Sequence, residues 1–339
     1  MNGLNDVTRR RLLQATAGGL AFAAGTRSSF GAAAGVIQRQ VATAPPLPGP
    51  YPRIERLAPE LDDVVTGEVE IVAKDIPPSL EGPLWSKKDG GLLICNGGKR
   101  LLYTPGKGIT TNKENVQGGG LTLDPQGRIV ATGGTRIRRE EPDGSVTTIV
   151  DNYKGVPFNG TNDLCIHTDG SIYFTDPTFT PKQLGFNGVY RVTPDGKQLD
   201  LLTDDGGSFP NGIALSPDEK TLYVCSGIEL AVFAWNVLPN GLIDKASKRV
   251  AADVRGTGAP GRPDGFKIDS KGNIHTSGSG GQWIVSPAGK PLGIVVSEEF
   301  PINCAFGGDD WKTLYYVTRS SVVAVKLKIA GEPVPMKRS

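Results

Sequence analysis

Five oxygen-bearing side chains open short apolar runs at matching places along this chain: Glu81, Asn162, Asn211, Asp264 and Asn303. Any one Asn-Gly or Asp-Gly pair reads as a turn. Five at one phase, including a Glu that forms no turn, read instead as a set of inward-facing groups. Two carboxylates and up to three amide carbonyls are hard oxygen ligands, and a calcium ion takes six to eight such oxygens. Buried polar groups need partners, and a divalent cation would satisfy many at once. Calcium is the expected ion, with magnesium, manganese or zinc as alternatives. Zinc matches least well, because it favours nitrogen and sulfur and neither histidine (His167, His275) opens one of these runs.

Positioning such a set requires repeated elements. The same phrase begins at residues 81, 119, 162, 211, 264 and 303, at intervals of 38 to 53 and a mean of about 44. Each copy alternates apolar and polar residues, turns on a segment such as Asp-Gly or Pro-Asp-Glu, and alternates again, which is a β-hairpin pattern. Further strand-like runs lie between copies. About four strands per repeat, six times over, predicts an all-β fold, a six-bladed β-propeller with a central metal-binding channel. The run at 64–73 and the run at 320–327 would pair to close the ring. Two stacked sandwiches would leave the six phased repeats unexplained.

The phrases EGPLW, FNGTNDLCIHTDGSIYFTDP, FPNGIALSPDEKTLYV, RPDGFKID and NCAFGGDDWKTLYYVT resemble the SMP-30/gluconolactonase/LRE family over about residues 70–328. That resemblance implies one catalytic divalent cation, usually calcium, and hydrolysis of a sugar lactone such as gluconolactone. It carries the metal ligands onto Glu81, Asn162, Asn211 and Asp264. It leaves Asn303 at a motif position on the substrate side. Several animal members place an Arg two residues before the first metal-binding Asn. This chain has Gly160 there, and Asn159 is the expected substitute in holding substrate. The second copy offers only Gly119. Asp264 is the expected catalytic residue, activating water as a base or attacking directly, with Glu81 a structural ligand. Trp85, Phe158, Phe179 and Phe209 are the expected pocket walls. Esterase or phosphotriesterase chemistry at the same ion, and a non-catalytic calcium-stabilised binding propeller, are the alternatives.

The remainder of the 339 residues narrows the setting. Lys and Arg number 37 against 35 Asp and Glu, so this is not a basic nucleic-acid binder; the expected partner is a small lactone. No Gly-x-Ser-x-Gly elbow is present, which argues against an α/β-type serine hydrolase. Cys95, Cys165, Cys225 and Cys304 form no Cys-x-x-Cys pair and sit in or beside apolar runs, as buried thiols do. Arg9–Arg11 precede an apolar stretch from Leu12 to Ala24, too short for the ~20 residues of a membrane span. They read as a twin-arginine export signal. Residues 1–34 are therefore expected to engage the twin-arginine translocase and be removed, leaving a periplasmic protein without a stable membrane anchor. A proline-rich linker is expected at 35–60, the propeller at 61–330 and a tail at 331–339.

Overall fold

Each repeated phrase folds as the inner hairpin of a four-stranded antiparallel sheet, and six such sheets form a β-propeller. The structure, a computed structural model, describes residues 47–116, 118–178, 183–205 and 209–335. The export segment 1–34 lies outside the described residues. No helix among the described residues is long and apolar enough to cross a membrane.

The innermost strands, in blade order, are Leu80–Ser86, Leu121–Leu123, Leu164–Ile166, Pro210–Leu215, Phe266–Ile268 and Asn303–Gly307. The third blade shows how the sequence pattern becomes a sheet: Leu164 faces Phe174 and Ile166 faces Ile172 across the inner hairpin. Gly188–Val192 and Leu199–Thr203 complete that blade outward. The ring closes as the two end runs require. Val65–Ala73 pairs antiparallel with Val322–Leu327, with Val65 opposite Leu327 and Ile71 opposite Val323. An N-terminal strand thus becomes the outer edge of the sixth blade and covers the strand Val322–Leu327.

Core packing lies between neighbouring blades. One cluster joins Ala214 and Cys225 of the fourth blade to Phe266 and Trp283 of the fifth. Another joins Tyr173 and Val189 of the third to Leu222 and Trp235 of the fourth. Large side chains with essentially no exposure fill these seams, each burial contributing roughly 1.5–3 kcal/mol.

Two boundaries differ from the sequence reading. The linker expected to run to residue 60 already joins the fold at Arg53–Arg56, which adds a fifth strand to the fifth blade opposite Pro291–Val296. The outer edge of that blade has open backbone groups to pair, and Gly293 leaves room for Leu61, whose Cδ2 lies 2.5 Å from where a Cβ would stand. The C-terminal segment is also engaged: the Gly331 N–H donates to the Trp311 carbonyl at 2.9 Å. Beyond it, Glu332 and Val334 close the lower end of the channel.

Candidate active site

The six inner strands start at one end of the channel, and the residues that open them are tied blade to blade. The Gly120 N–H donates to the Asn162 carbonyl at 2.9 Å, and the Thr175 hydroxyl to the Asn211 carbonyl at 2.6 Å. The Gly212 N–H donates to the Asp264 carbonyl at 2.7 Å, and the Gly265 N–H to the Ile302 carbonyl at 2.6 Å. Asn303 then donates from Nδ2 to Glu81 Oε1 at 2.9 Å, joining the last blade to the first. Glycine follows the opening residue because the next blade comes so near. A Cβ on Gly82 would stand 1.9 Å from the Gly119 carbonyl oxygen, and one on Gly265 would stand 1.9 Å from Asn303 Cγ.

Asp163 occupies one of these positions and points its carboxylate inward. Its Oδ1 accepts the Leu164 N–H at 2.9 Å, while Oδ2 lies 3.4 Å from Asn303 Nδ2. Asn303 is therefore a donor to two carboxylates, and its own Oδ1 accepts the Cys304 N–H at 2.8 Å. Both ends of this amide hold the ring together, which makes Asn303 a positioning group here. Glu81 Oε1 also accepts the Gly82 N–H at 2.9 Å.

Crowding of negative charge dominates the electrostatics. Burial raises the Glu81 carboxyl above its ordinary range; hydrogen bonds from Asn303 and Gly82 oppose this, and the Asp163 charge adds to it. Asp264 is pushed well above the usual carboxylate range, first by burial and then by the Glu81 charge. The Arg262 guanidinium and a hydrogen bond from Asn211 act against that rise. The Asn162 side-chain amide has no hydrogen-bond partner among the described residues, leaving its oxygen open to a ligand.

These residues fit a hard divalent cation by their chemistry: buried and half-buried carboxylates that repel one another, with neutral amide oxygens beside them. Among the described residues no three His, Cys, Asp or Glu side chains are gathered so as to hold a metal by themselves. An ion seated here would therefore draw on the Asn162 and Asn211 amides as well.

A match to the SMP-30/Gluconolactonase/LRE-like region extends over residues 80–320. The chain belongs to that family. The gluconolactonase of Zymomonas mobilis is 34% identical over 316 residues, covering 82% of this chain and 87% of its own. A solved structure described as a gluconolactonase from Xanthomonas campestris has a TM-score of 0.72 and 27% identity, covering 84% of this chain and 97% of that one. A calcium-binding regucalcin from Agrobacterium tumefaciens shares the fold at a TM-score of 0.66 and 18% identity, covering 79% and 97%.

The expected substrate-side residues are distributed differently from a simple mouth. Asn159 is committed to structure: its Nδ2 donates to the Phe186 carbonyl at 2.8 Å and its Oδ1 accepts the Leu184 N–H at 3.1 Å. Phe158 has no exposed surface and packs edge-on against Phe174 and Tyr190, so it is core rather than pocket wall. Trp85 stacks on Tyr315 with rings 5.4 Å apart and 2° from parallel. A strand advances about 3.3 Å per residue, so four residues carry Trp85 away from the Glu81 end. It lines a lower, mainly apolar cavity of about 90 Å³ with Leu164, Ile213 and Phe306. Phe209 is half-buried beside Arg262. Phe179 lies outside the described residues. The four cysteines are free, three of them buried and Cys165 half-buried.

Asp163 and Arg262 are the site residues that sequence reasoning passed over. Comparing the second residue of each repeat exposes Asp163: Gly82, Gly120, Asp163, Gly212, Gly265, Cys304. Arg262 has no such signal, because its column is irregular.

Asp176 supports the site from behind. Its oxygens accept the Asn159 and Gly160 N–H groups at 3.0 and 2.7 Å, and burial pushes its carboxyl up to about 6. The native state thus holds a proton that the unfolded chain has lost between pH ~4 and ~6. This group's contribution to stability falls as pH rises through that window and is level above it. Asp176→Asn should remove that slope from the melting temperature. It should also cost about 1–3 kcal/mol at pH 7, since its NH2 cannot accept the second N–H. Parallel pH–melting curves for the two proteins would refute the assignment.

Proposed function

We propose that the protein hydrolyses sugar lactones, gluconolactone among them, at a divalent cation, calcium first among the candidates, held by Glu81, Asn162, Asn211 and Asp264. The observation that carries this reading is the ring of buried and half-buried carboxylates and amides at the strand entrances of a propeller in this family. The gluconolactonase activity named for its Zymomonas relative supports the choice of a cyclic ester. A cation bound there would polarise the lactone carbonyl and favour the charge that grows on its oxygen.

The chain's own residues supply the rest. Asp264 removes the proton from the attacking water, and the burial and neighbouring charges that raise its affinity for protons suit it to that task. Glu81, pinned by Gly82 and Asn303, stays in place as a ligand. Asp163 adds negative charge beneath the same site. Asn162 and Asn211 offer neutral oxygens, so the total charge stays within reach of one divalent ion.

Removing the ion should destabilise the fold, because only the closed ring assembles the ligands. A ligand at a hundred times its Kd stabilises by about 2.7 kcal/mol, or about 5 °C in melting temperature for a domain of this size. A chelator should lower the melting temperature by that order and abolish acid release from gluconolactone, and calcium should restore both. A protein freed of metal that melts unchanged and still opens the lactone would refute the proposal.

A further inference from the structure

Arg262 enters the site region from the loop before the fifth inner strand, two residues ahead of Asp264. Its guanidinium lies over the face of Phe209, 5.9 Å from the ring centre, on the loop that enters the fourth inner strand. Both residues therefore stand at the end of the channel where the ring of carboxylates is found.

The surroundings hold this arginine in place without neutralising it. A Cβ on Gly227 would stand 3.3 Å from Arg262 Cδ and 3.6 Å from Phe209 Cδ1, so glycine there leaves room for the stacked pair. The Gly227 N–H donates to the Phe209 carbonyl at 3.2 Å, fixing that loop against the stack. Gly261 on one side takes a φ of +119°, and Pro263 on the other restricts the chain. A guanidinium carries five N–H donors. Among the described residues none finds a hydrogen-bond acceptor and no carboxylate pairs with Arg262, although its charge is felt by Asp264. A half-buried, positioned and unpaired fork of donors beside a catalytic carboxylate is arranged for an acceptor on the ligand.

We propose that Arg262 makes this site selective for lactones that carry an anionic oxygen group, a carboxylate or a phosphate, on the sugar away from the lactone carbonyl. The proposal rests on the lactone-hydrolase reading for the reaction, but not for the binding. Planar oxyanions engage an arginine fork in two parallel hydrogen bonds, whereas hydroxyls engage it singly. Lys267, whose charge also acts on Glu81, lines the lower cavity and donates to the Phe266 carbonyl, so Arg262 is the cation placed beside Asp264. A mere counter-ion to Asp264 would instead affect all substrates alike.

The test compares kcat/KM for glucono-1,5-lactone, a glucaric acid monolactone and 6-phosphogluconolactone in the intact protein, Arg262→Gln and Arg262→Lys. The native protein is expected to favour at least one anionic lactone over the neutral one by about tenfold or more. In Arg262→Gln that ratio should fall about 10–100-fold, mainly through KM, the range for a lost hydrogen-bonded charge. Arg262→Lys should recover part of it, and whichever anionic lactone loses its advantage identifies the group. Equal loss on all three lactones, or no preference in the native protein, would overturn the proposal. If no lactone is opened at all, the function fails but the binding claim is still measured. Glucuronate or glucose 6-phosphate should bind at least tenfold tighter than glucose, and Arg262→Gln should erase the difference. Equal binding would overturn it.

Discussion

Asp264→Asn is expected to fold and to take up calcium at raised concentration, yet to open gluconolactone ~10²–10⁴-fold more slowly than the native protein. The substitution keeps an oxygen that can face a cation and removes the basic carboxylate. It also removes one of the negative charges that crowd the ring, so metal affinity should fall. Saturating calcium should refill the site without restoring turnover. Asn211→Asp provides the contrast: it adds a charge beside Asp264 without deleting a base, so its main effect should be on metal affinity. Turnover measured against calcium concentration separates the two roles. Full recovery of Asp264→Asn at saturating calcium would make Asp264 a ligand only, and Glu81 the next base to test.

The architecture was legible because a propeller repeats one hairpin, so each copy confirms the phase of the others. Alternation in Asn162–Thr175 or Asn303–Val317 predicts a hairpin alone; six in phase predict a ring, and the apolar runs at its two ends predict its closure. The opening residues were legible for the same reason. Depth along the channel was not. Trp85 and Phe158 looked like walls because they are aromatic and near the opening residues in sequence. A strand moves Trp85 down the channel, and the stack with Phe174 and Tyr190 takes Phe158 into the core. The function of Asn159 was hidden because its partners, Leu184 and Phe186, lie some 25 residues away on a connection with no repeat pattern. Asp163 is masked in the sequence by Asn162, which opens the repeat beside it, although the next place is glycine in four of six copies.

That glycine position carries the largest expected effect on stability. Gly82 has a φ of +53°, a region that costs an ordinary residue about 1–2 kcal/mol. A Cβ there would also stand 1.9 Å from the carbonyl oxygen of Gly119, which is backbone and cannot swing aside. Gly97 isolates the first effect from the second, since it has nearly the same φ of +52° but nothing within 4 Å of its would-be Cβ. Gly97→Ala should therefore lose only about 1 kcal/mol, the backbone cost alone. Gly82→Ala must in addition push the first and second blades apart at the channel, adding about 3 kcal/mol for forced overpacking. Across a fold of this size the difference between the two variants should be about 5 °C in melting temperature. Calcium should rescue Gly82→Ala poorly, because the displaced Gly82 N–H is the donor that holds the Glu81 carboxylate. Equal melting temperatures for the two variants would mean that the blades are not held at contact distance. The glycine column would then reflect only turn conformation, and the close inter-blade approach could not be what fixes the carboxylates against one another.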